Sequence, residues 1–374
     1  MARGAILVAG GAGYIGSHVC KALAAEGYLP VTLDDLSSGH AGAVQWGPLV
    51  RADIADADAV ARTIKAHDVV GVLHFAAKSL VGESMRDPLK YFRENVGKGV
   101  AFLEALQAAR VSNILFSSTA AVYGNPARPT SISEDDPIRP ISPYGASKLA
   151  FEEALRGATR ASGGRCAVLR YFNAAGADSE GDLGEDHDPE THLIPLIVRA
   201  SRAETPPLTV FGEDYETRDG TPIRDYVHVE DLAAAHLLVL DQLVRGETDL
   251  VLNAGAGKGV TVREVLKAAQ DCLGRPIPTV TGARREGDPP MLVANTSRLA
   301  ALGWAPRKTL QDMISSAALW REKTTPVGPT EAPTRTTPMR TAAQCTPAPA
   351  TTNPCQIARR NLTFWLMKTK TPDV

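Results

Sequence analysis

The sequence predicts an α/β fold: a doubly wound parallel sheet followed by a smaller lobe. Three observations predict it. Short apolar runs of strand length alternate with amphipathic helical stretches from residue 5 to Tyr171. A glycine-rich turn, Gly10-Gly11-Ala12-Gly13-Tyr14-Ile15-Gly16, joins the first run to the first helix. After Asn173 the texture changes, and residues 174–223 become rich in Gly, Asp, Glu and Pro.

Each element has its own signal. The apolar run at Ala5-Ile6-Leu7-Val8 reads as a buried strand, and an amphipathic helix follows near residues 14–26. Leu29 to Leu33 reads as a second strand ending at Asp34-Asp35, and Val69 to Phe75 as a third. Pro88 opens a helical pattern through about Arg110, because proline suits a first helical turn. Asn113 to Ser117 is strand-like, residues 143–162 are helical, and Cys166 to Tyr171 is strand-like again. In the later part a helix is expected near 191–203 and another near 229–244. Leu250 to Asn253 reads as a strand returning to the main sheet, and Thr261-Val262-Arg263-Glu264 as a capping box.

Composition narrows the function classes. A chain of 374 residues with 44% apolar and 22% charged residues suits a soluble globular protein. A formal net charge of -2 offers no basic face for nucleic acid. The five cysteines are scattered with no C-x-x-C pair, so neither a disulfide framework nor a zinc knuckle is read, and a reducing cytoplasm is the simple compartment. No stretch has the length of a transmembrane helix, and the short apolar start lacks signal-peptide form. From about residue 324 the chain is rich in Thr, Pro and Ala. Such a segment reads as a disordered tail or as a sequence artefact.

The glycine turn points to a dinucleotide. Gly10, Gly13 and Gly16 let the chain turn tightly and let backbone approach a pyrophosphate, while the helix N-terminus offers free amides to it. Asp34 ends the second strand where an acid would bond the adenosine ribose hydroxyls, which favours NAD over NADP. Asp35 fits the same role or that of a solvent-facing acid. Asp53-Ile54 fits either an adenine bracket or a plain strand end.

Tyr144 and Lys148 stand four residues apart in a predicted helix and so share a face. A free phenol has a pKa near ~10, so a tyrosine base near neutrality needs a shift of roughly 3 units, or about 4 kcal/mol. A neighbouring ammonium and a nicotinium charge supply such a field. Thr119 ends the strand before this helix, at the carboxyl edge where doubly wound sheets place their sites. It reads as a hydrogen-bond partner of a substrate oxygen or as an ordinary strand-end threonine.

Together these residues make the chain resemble the extended short-chain dehydrogenase/reductases, and within them the 4-epimerases of UDP-sugars. The resemblance covers about residues 4–322. It is carried by Gly10 to His18, His74-Phe75-Ala76-Ala77, Val81-Gly82-Glu83-Ser84, Ser117-Ser118-Thr119 and Ser142-Pro143-Tyr144-Gly145 leading to Lys148. It continues through Leu169-Arg170-Tyr171-Phe172-Asn173, Gly184-Glu185-Asp186, Asp219-Gly220-Thr221, Arg224-Asp225-Tyr226-Val227-His228-Val229 and Arg284-Arg285-Glu286-Gly287-Asp288.

The resemblance implies a Rossmann domain over 1–173, rejoined by about 224–253, and a mainly UDP-sugar-binding lobe over 174–323. It implies NAD contacts from Tyr14, Ile15, Asp34, Asp35, Leu36, Ser37, Ser38, Gly39, Asp53, Ile54, Phe75, Ala76, Ala77, Lys78, Ser79, Asn95, Tyr144, Lys148 and Phe172. It implies UDP-sugar contacts from Thr119, Tyr144, Asn173, His192, Leu193, Thr209, Val210, Phe211, Arg224, Arg285, Asp288 and Leu292. Guanidinium groups pair well with phosphate oxygens, which suits Arg224 and Arg285 to a pyrophosphate. Phe211 offers its face to uracil or packs in a core. The implied activity is C4 epimerisation of a UDP-hexose by a homodimer, with Tyr144, Lys148 and Thr119 catalytic and tightly bound NAD not consumed.

Rival readings stay open on the sequence. A dehydratase would need an acid/base couple directly after Thr119, where Ala120-Ala121 stand. A net dehydrogenase or reductase would use the same Tyr, Lys and Thr. Epimerases of N-acetylhexosamine, pentose or uronic acid nucleotides share most of the motifs. The position of Leu292 is usually Tyr or Cys in that family and helps decide whether an N-acetyl group fits; leucine is intermediate. His192 reads as a substrate-loop contact with no second ligand at suitable spacing, so no metal is expected.

Overall fold

A computed structural model describes residues 3–126, 130–285 and 288–325. The first part alternates as the periodicity predicts. Strands β1 (Ala5–Ala9), β2 (Leu29–Asp34) and β3 (Leu49–Arg51) interleave with helix α1 (Tyr14–Ala25), and α2 (Ala57–His67) leads to β4 (Val69–His74). Next comes α3 (Val81–Arg86), then a continuous helical run of α4 (Pro88–Tyr91), a π-helical segment (Phe92–Gly97) and α5 (Lys98–Ala108). β5 (Asn113–Thr119), α6 (Pro143–Ser162) and β6 (Arg165–Tyr171) close this part. The later chain holds β7 (Asn173–Ala175), α7 (Leu193–Ser201), β8 (Leu208–Phe211), β9 (Ile223–His228), α8 (Val229–Arg245) and β10 (Leu250–Ala254). It ends with β11 (Gly259–Thr261), α9 (Val262–Leu273), β12 (Thr279–Gly282), β13 (Met291–Leu292), α10 (Ser297–Ala301) and α11 (Leu310–Thr324).

Seven parallel strands form the main sheet in the order β3-β2-β1-β4-β5-β6-β10. Its strands read as continuous apolar runs because helices cover both faces. Alternate residues of β1 divide between two cores. Ile6 and Val8 pack with Val19 and Leu23 of α1 and Leu232 and Val239 of α8. Leu7 and Ala9 pack with Val60 of α2, Phe102 and Leu106 of α5, and Phe151 and Leu155 of α6. Each such fully buried leucine or phenylalanine contributes about 1.5–3 kcal/mol.

Helix α6 has well-defined ends. Ser142 caps it, its Oγ accepting from Gly145 N at 3.2 Å, with Pro143 in the first turn. Gly163 ends it at φ +69°, a left-handed conformation that glycine takes without strain.

In the lobe, β9 is central: β11 pairs with it antiparallel, and β13 and β7 pair with it in parallel. All six β9 residues are buried, although they include Arg224, Asp225 and His228. Asp225 is held by three backbone amides, from Ala256 at 2.7 Å, Gly257 at 2.9 Å and Ala294 at 3.0 Å. Ile223–His228 belongs to the smaller sheet, and the chain rejoins the main sheet at β10, which pairs with β6.

The sequence reading did not contain β3 or α2. β3 is three residues long, and α2 is amphipathic, burying Ala59, Val60, Thr63 and Ile64, with Asp56 capping its start. The strands of the lobe, α3, α10 and α11 also went unread. The Thr/Pro/Ala-rich segment from residue 326 lies outside the described residues. Among those described, no helix is long and apolar enough to cross a membrane.

Candidate active site

Because the main sheet is all parallel, the carboxyl ends of its strands line one edge. Five of the sequence-predicted segments follow those ends: the glycine turn after β1, Asp34 closing β2, Phe75 to Ser79 after β4, Thr119 closing β5 and Phe172 after β6.

The glycine turn is a tight cradle. Gly10 has φ +82°, and a Cβ there would lie 2.5 Å from Ala76 N. A Cβ on Gly16 would lie 2.2 Å from the carbonyl oxygen of Gly10. Gly13 caps α1 with no side-chain hydrogen bond, and the first turn carries no acid, so its amides suit an anion. These features fit a dinucleotide pyrophosphate. Gly16→Ala is expected to abolish cofactor retention, because the added carbon meets backbone that cannot yield. Release of nucleotide from heat-denatured protein, quantified by absorbance, checks this; a normal yield would contradict it.

Asp34 is 7% exposed and already engaged. Its Oδ2 accepts from Ala12 N at 3.0 Å and its Oδ1 from Leu36 N at 2.9 Å. Burial raises its pKa against the pull of these amides. Leu36 takes φ +61°, an unfavourable conformation for a branched side chain, held where the dinucleotide loop begins. Asp35 accepts from Ser37 N at 2.8 Å, and Lys78 Nζ donates to Ser37 Oγ at 3.0 Å. Asp53 pairs with Lys98 at 2.7 Å, and Ile54 lies in the core with Leu33 and Val60.

Asn95 sits in the π-helical segment and ties two site segments together. Its Oδ1 accepts from Lys78 N at 2.8 Å; its Nδ2 donates to Lys78 O and to Ser147 Oγ, both at 3.0 Å. A π-helical turn re-aims one side chain out of the regular helical register, and such turns concentrate at functional sites.

Tyr144 occupies the first turn of α6 and Lys148 the next. Burial pushes the Tyr144 phenol up, while a hydrogen bond with Thr119 draws it down. Burial pushes Lys148 down to about 7, against the upward pull of Glu152. Its Nζ lies 4.6 Å over the ring of Phe116. The sequence predicts a phenol lowered by its ammonium neighbour; in the free protein burial instead holds the Tyr144 phenol above its ordinary value. Among the protein's own groups it is Thr119 that lowers Tyr144, and burial opposes both charged forms. Thr119 Oγ1 also accepts from Ala121 N at 3.1 Å.

Sequence reasoning missed what lies beneath this pair. Glu152, one turn beyond Lys148 and 1% exposed, accepts from Arg170 Nε at 3.2 Å and Nη2 at 2.7 Å, and also from Ser118 Oγ. Arg170 Nη1 donates to Tyr123 Oη at 3.0 Å, and that hydroxyl donates to Asn253 Oδ1 at 2.7 Å. The only sequence signal for this network is the helical spacing of Tyr144, Lys148 and Glu152.

The predicted sugar-nucleotide residues beyond Thr119 and Tyr144 fall in four places. Leu292 packs in one cluster with the expected NAD contact Phe172 and with Tyr123, Ile132 and Ala294, while Asn173 pairs with Tyr226 at the start of β7. Thr209, Val210 and Phe211 lie on β8, and the Arg285 guanidinium stands 4.0 Å over the Phe211 ring. Arg224 is ion-paired with Asp288. His192 caps α7 just before Leu193, but its ring turns to Glu185 and Glu190, at 2.7 and 3.1 Å. Burial would lower its pKa; the two carboxylates outweigh this and raise it to about 10.

Comparison with known proteins supplies the context. Residues 6–255 match the NAD dependent epimerase/dehydratase family. The UDP-glucose 4-epimerase of Rhizobium leguminosarum bv. trifolii is 46% identical over 326 residues, 86% of this chain and 99% of that protein. The Brucella ovis UDP-glucose 4-epimerase structure, in complex with NAD, superposes with a TM-score of 0.82 at 46% identity, covering 84% of this chain and 97% of that one. The Bifidobacterium longum UDP-glucose 4-epimerase structure, in complex with NAD+ and UDP, gives a TM-score of 0.81 at 34% identity, covering 85% of this chain and 98% of that one.

Proposed function

This chain belongs to the NAD dependent epimerase/dehydratase family, and from that membership we infer that it is an isomerase inverting C4 of a UDP-hexose, UDP-galactose to UDP-glucose and back. The observation that carries this reading is the near end-to-end similarity to relatives of that activity.

Bound against these residues, NAD would supply a reversible hydride acceptor for sugar C4. The chain's own residues do the rest. The Gly10–Gly16 turn offers its amides to the pyrophosphate, and Asp34 with the Asn95-tied loop flanks it. Tyr144 as phenolate accepts the 4-hydroxyl proton and later returns it, and Thr119 orients both oxygens. Lys148, one turn further along α6, is the group that would place a positive charge beside the phenolate and the nicotinamide ribose once it holds its proton. Arg224 and Arg285 hold the UDP phosphates, and Phe211 carries the base. Holding UDP while the 4-keto sugar turns is what lets the returning hydride reach the opposite face. Ala120 and Ala121, straight after Thr119, can move no proton, so elimination of water has no acid/base couple there.

The same reading extends to a cytoplasmic homodimer. Support for the compartment is that Cys20, Cys166 and Cys272 are free thiols. The test of the activity is to incubate purified protein with UDP-galactose, without added NAD, and to separate the products. UDP-glucose is the expected product. No conversion, even after NAD is supplied, would remove the reading.

A further inference from the structure

The segment between β7 and α7 gathers two acids and two imidazoles at one point. Glu185, His187, Glu190 and His192 each offer one ligand atom, and the four atoms lie within 4.8 Å of one another. His192 Nδ1 is 2.7 Å from Glu185 Oε1 and 3.1 Å from Glu190 Oε1. His187 Nδ1 is 3.2 Å from Glu185 Oε1 and 3.9 Å from Glu190 Oε2. The glutamate side chains are 4% and 1% exposed. Even so, Glu185 Oε2, Glu190 Oε2 and His187 Nδ1 are buried without a hydrogen-bond partner.

Glu190 Oε1 accepts from Thr191 N at 2.7 Å and His192 N at 2.8 Å, and the His192 ring faces both carboxylates, but the other oxygen of each glutamate is left without a partner, which is costly inside a protein. The spacing says what kind of partner would fit. Ligands at about 2.0–2.1 Å from a tetrahedral zinc ion stand roughly 3.3–3.4 Å apart. The nitrogen–oxygen contacts run from 2.7 to 3.9 Å, counting both Glu190 oxygens, and one donor atom from each residue lies within 4.8 Å of the others, so small side-chain shifts would close the group on one ion. Mixed imidazole and carboxylate donors suit zinc and its neighbours, whereas magnesium and calcium take oxygen shells.

A second acidic group nearby shows the contrast. Asp178, Glu180 and Asp182 also converge, but Lys21 Nζ fills their centre at 2.9, 2.5 and 3.0 Å. Among the described residues, no lysine or arginine pairs with the Glu185 group.

We propose that Glu185, His187, Glu190 and His192 bind one divalent transition cation of the zinc class. The cation would fasten the loop before α7 beside Tyr14, whose ring meets the His187 ring edge-on at 6.3 Å and whose hydroxyl donates to Gly176 O at 2.6 Å. His192 would ligate through Nδ1, the atom that faces both carboxylates.

The experiment uses the full chain, free of any histidine tag, stripped with a chelator and titrated with Zn²⁺ by calorimetry while unfolding is followed thermally. The expected result is one equivalent bound per chain and a higher melting temperature. His187→Ala and Glu190→Gln, each checked for native circular dichroism, should each lose at least nine-tenths of the uptake. Absence of a saturable equivalent in the native chain overturns the proposal, as does unchanged uptake in both folded variants. If the variants fail to fold, the titration of the native chain decides alone. Co²⁺ in place of Zn²⁺ should give the intense visible absorption of a tetrahedral site; a spectrum like that of aqueous Co²⁺ counts against it.

Discussion

Replacing Tyr144 with phenylalanine should cut turnover by about 10²–10⁴-fold, the usual contribution of one positioned acid/base. That corresponds to roughly 2.7–5.5 kcal/mol of barrier. The change removes a single oxygen. Ser142 still caps α6, Pro143 still fixes its first turn, and a phenylalanine ring keeps the edge contact with Tyr91, 6.3 Å away between ring centres. Folding and cofactor content should therefore match the parent chain. The pattern to measure is a fall in kcat with little change in KM or in nucleotide released on denaturation. Turnover within threefold of the parent would remove Tyr144 from the role of base.

Glu152→Ala should destabilise the chain by about 3–5 kcal/mol, because it leaves the Arg170 guanidinium buried without its counter-charge. Glu152 joins α6 to β5 through Ser118 and to β6 through Arg170, and Arg170 reaches β10 through Tyr123 and Asn253. The loss should therefore appear as a large drop in the denaturant midpoint. Replacing both partners, Glu152→Ala with Arg170→Met, should recover a substantial part of it, since apolar groups can fill a dry site without an orphaned charge. A loss below about 1 kcal/mol in the single variant would show that the pair is solvated or dispensable. Glu152 also raises the Lys148 pKa, so the single variant should hold Lys148 neutral to lower pH and shift the activity profile with it.

What could be read from the sequence was local. β1 announces itself because both of its faces are buried, so Ile6, Leu7 and Val8 form an unbroken apolar run. The glycine turn is legible because the constraint on Gly10 and Gly16 acts within a dozen residues. Tyr144 and Lys148 are legible because one helix fixes their relation. Long-range pairings left no such trace. Arg170 meets Glu152 from another element, and Asn95 reaches Ser147 across 52 positions. β9 hid because Arg224, Asp225 and His228 interrupt its apolar pattern, although the fold buries every one of them. The loop before α7 hid for a different reason. His187 and His192 stand at an H-x4-H spacing that zinc ligands use, so the expectation of no second ligand at suitable spacing was mistaken, and Glu185 and Glu190 read as ordinary loop acids until the fold gathered all four.

Hydride that leaves sugar C4 should return to the same carbon within one bound complex. UDP-galactose carrying deuterium at C4, converted in ordinary water and read by mass spectrometry and NMR, follows that hydride. The expected product is UDP-glucose that keeps essentially all of its deuterium at C4. Deuterium lost to solvent, or found at another carbon, would contradict it.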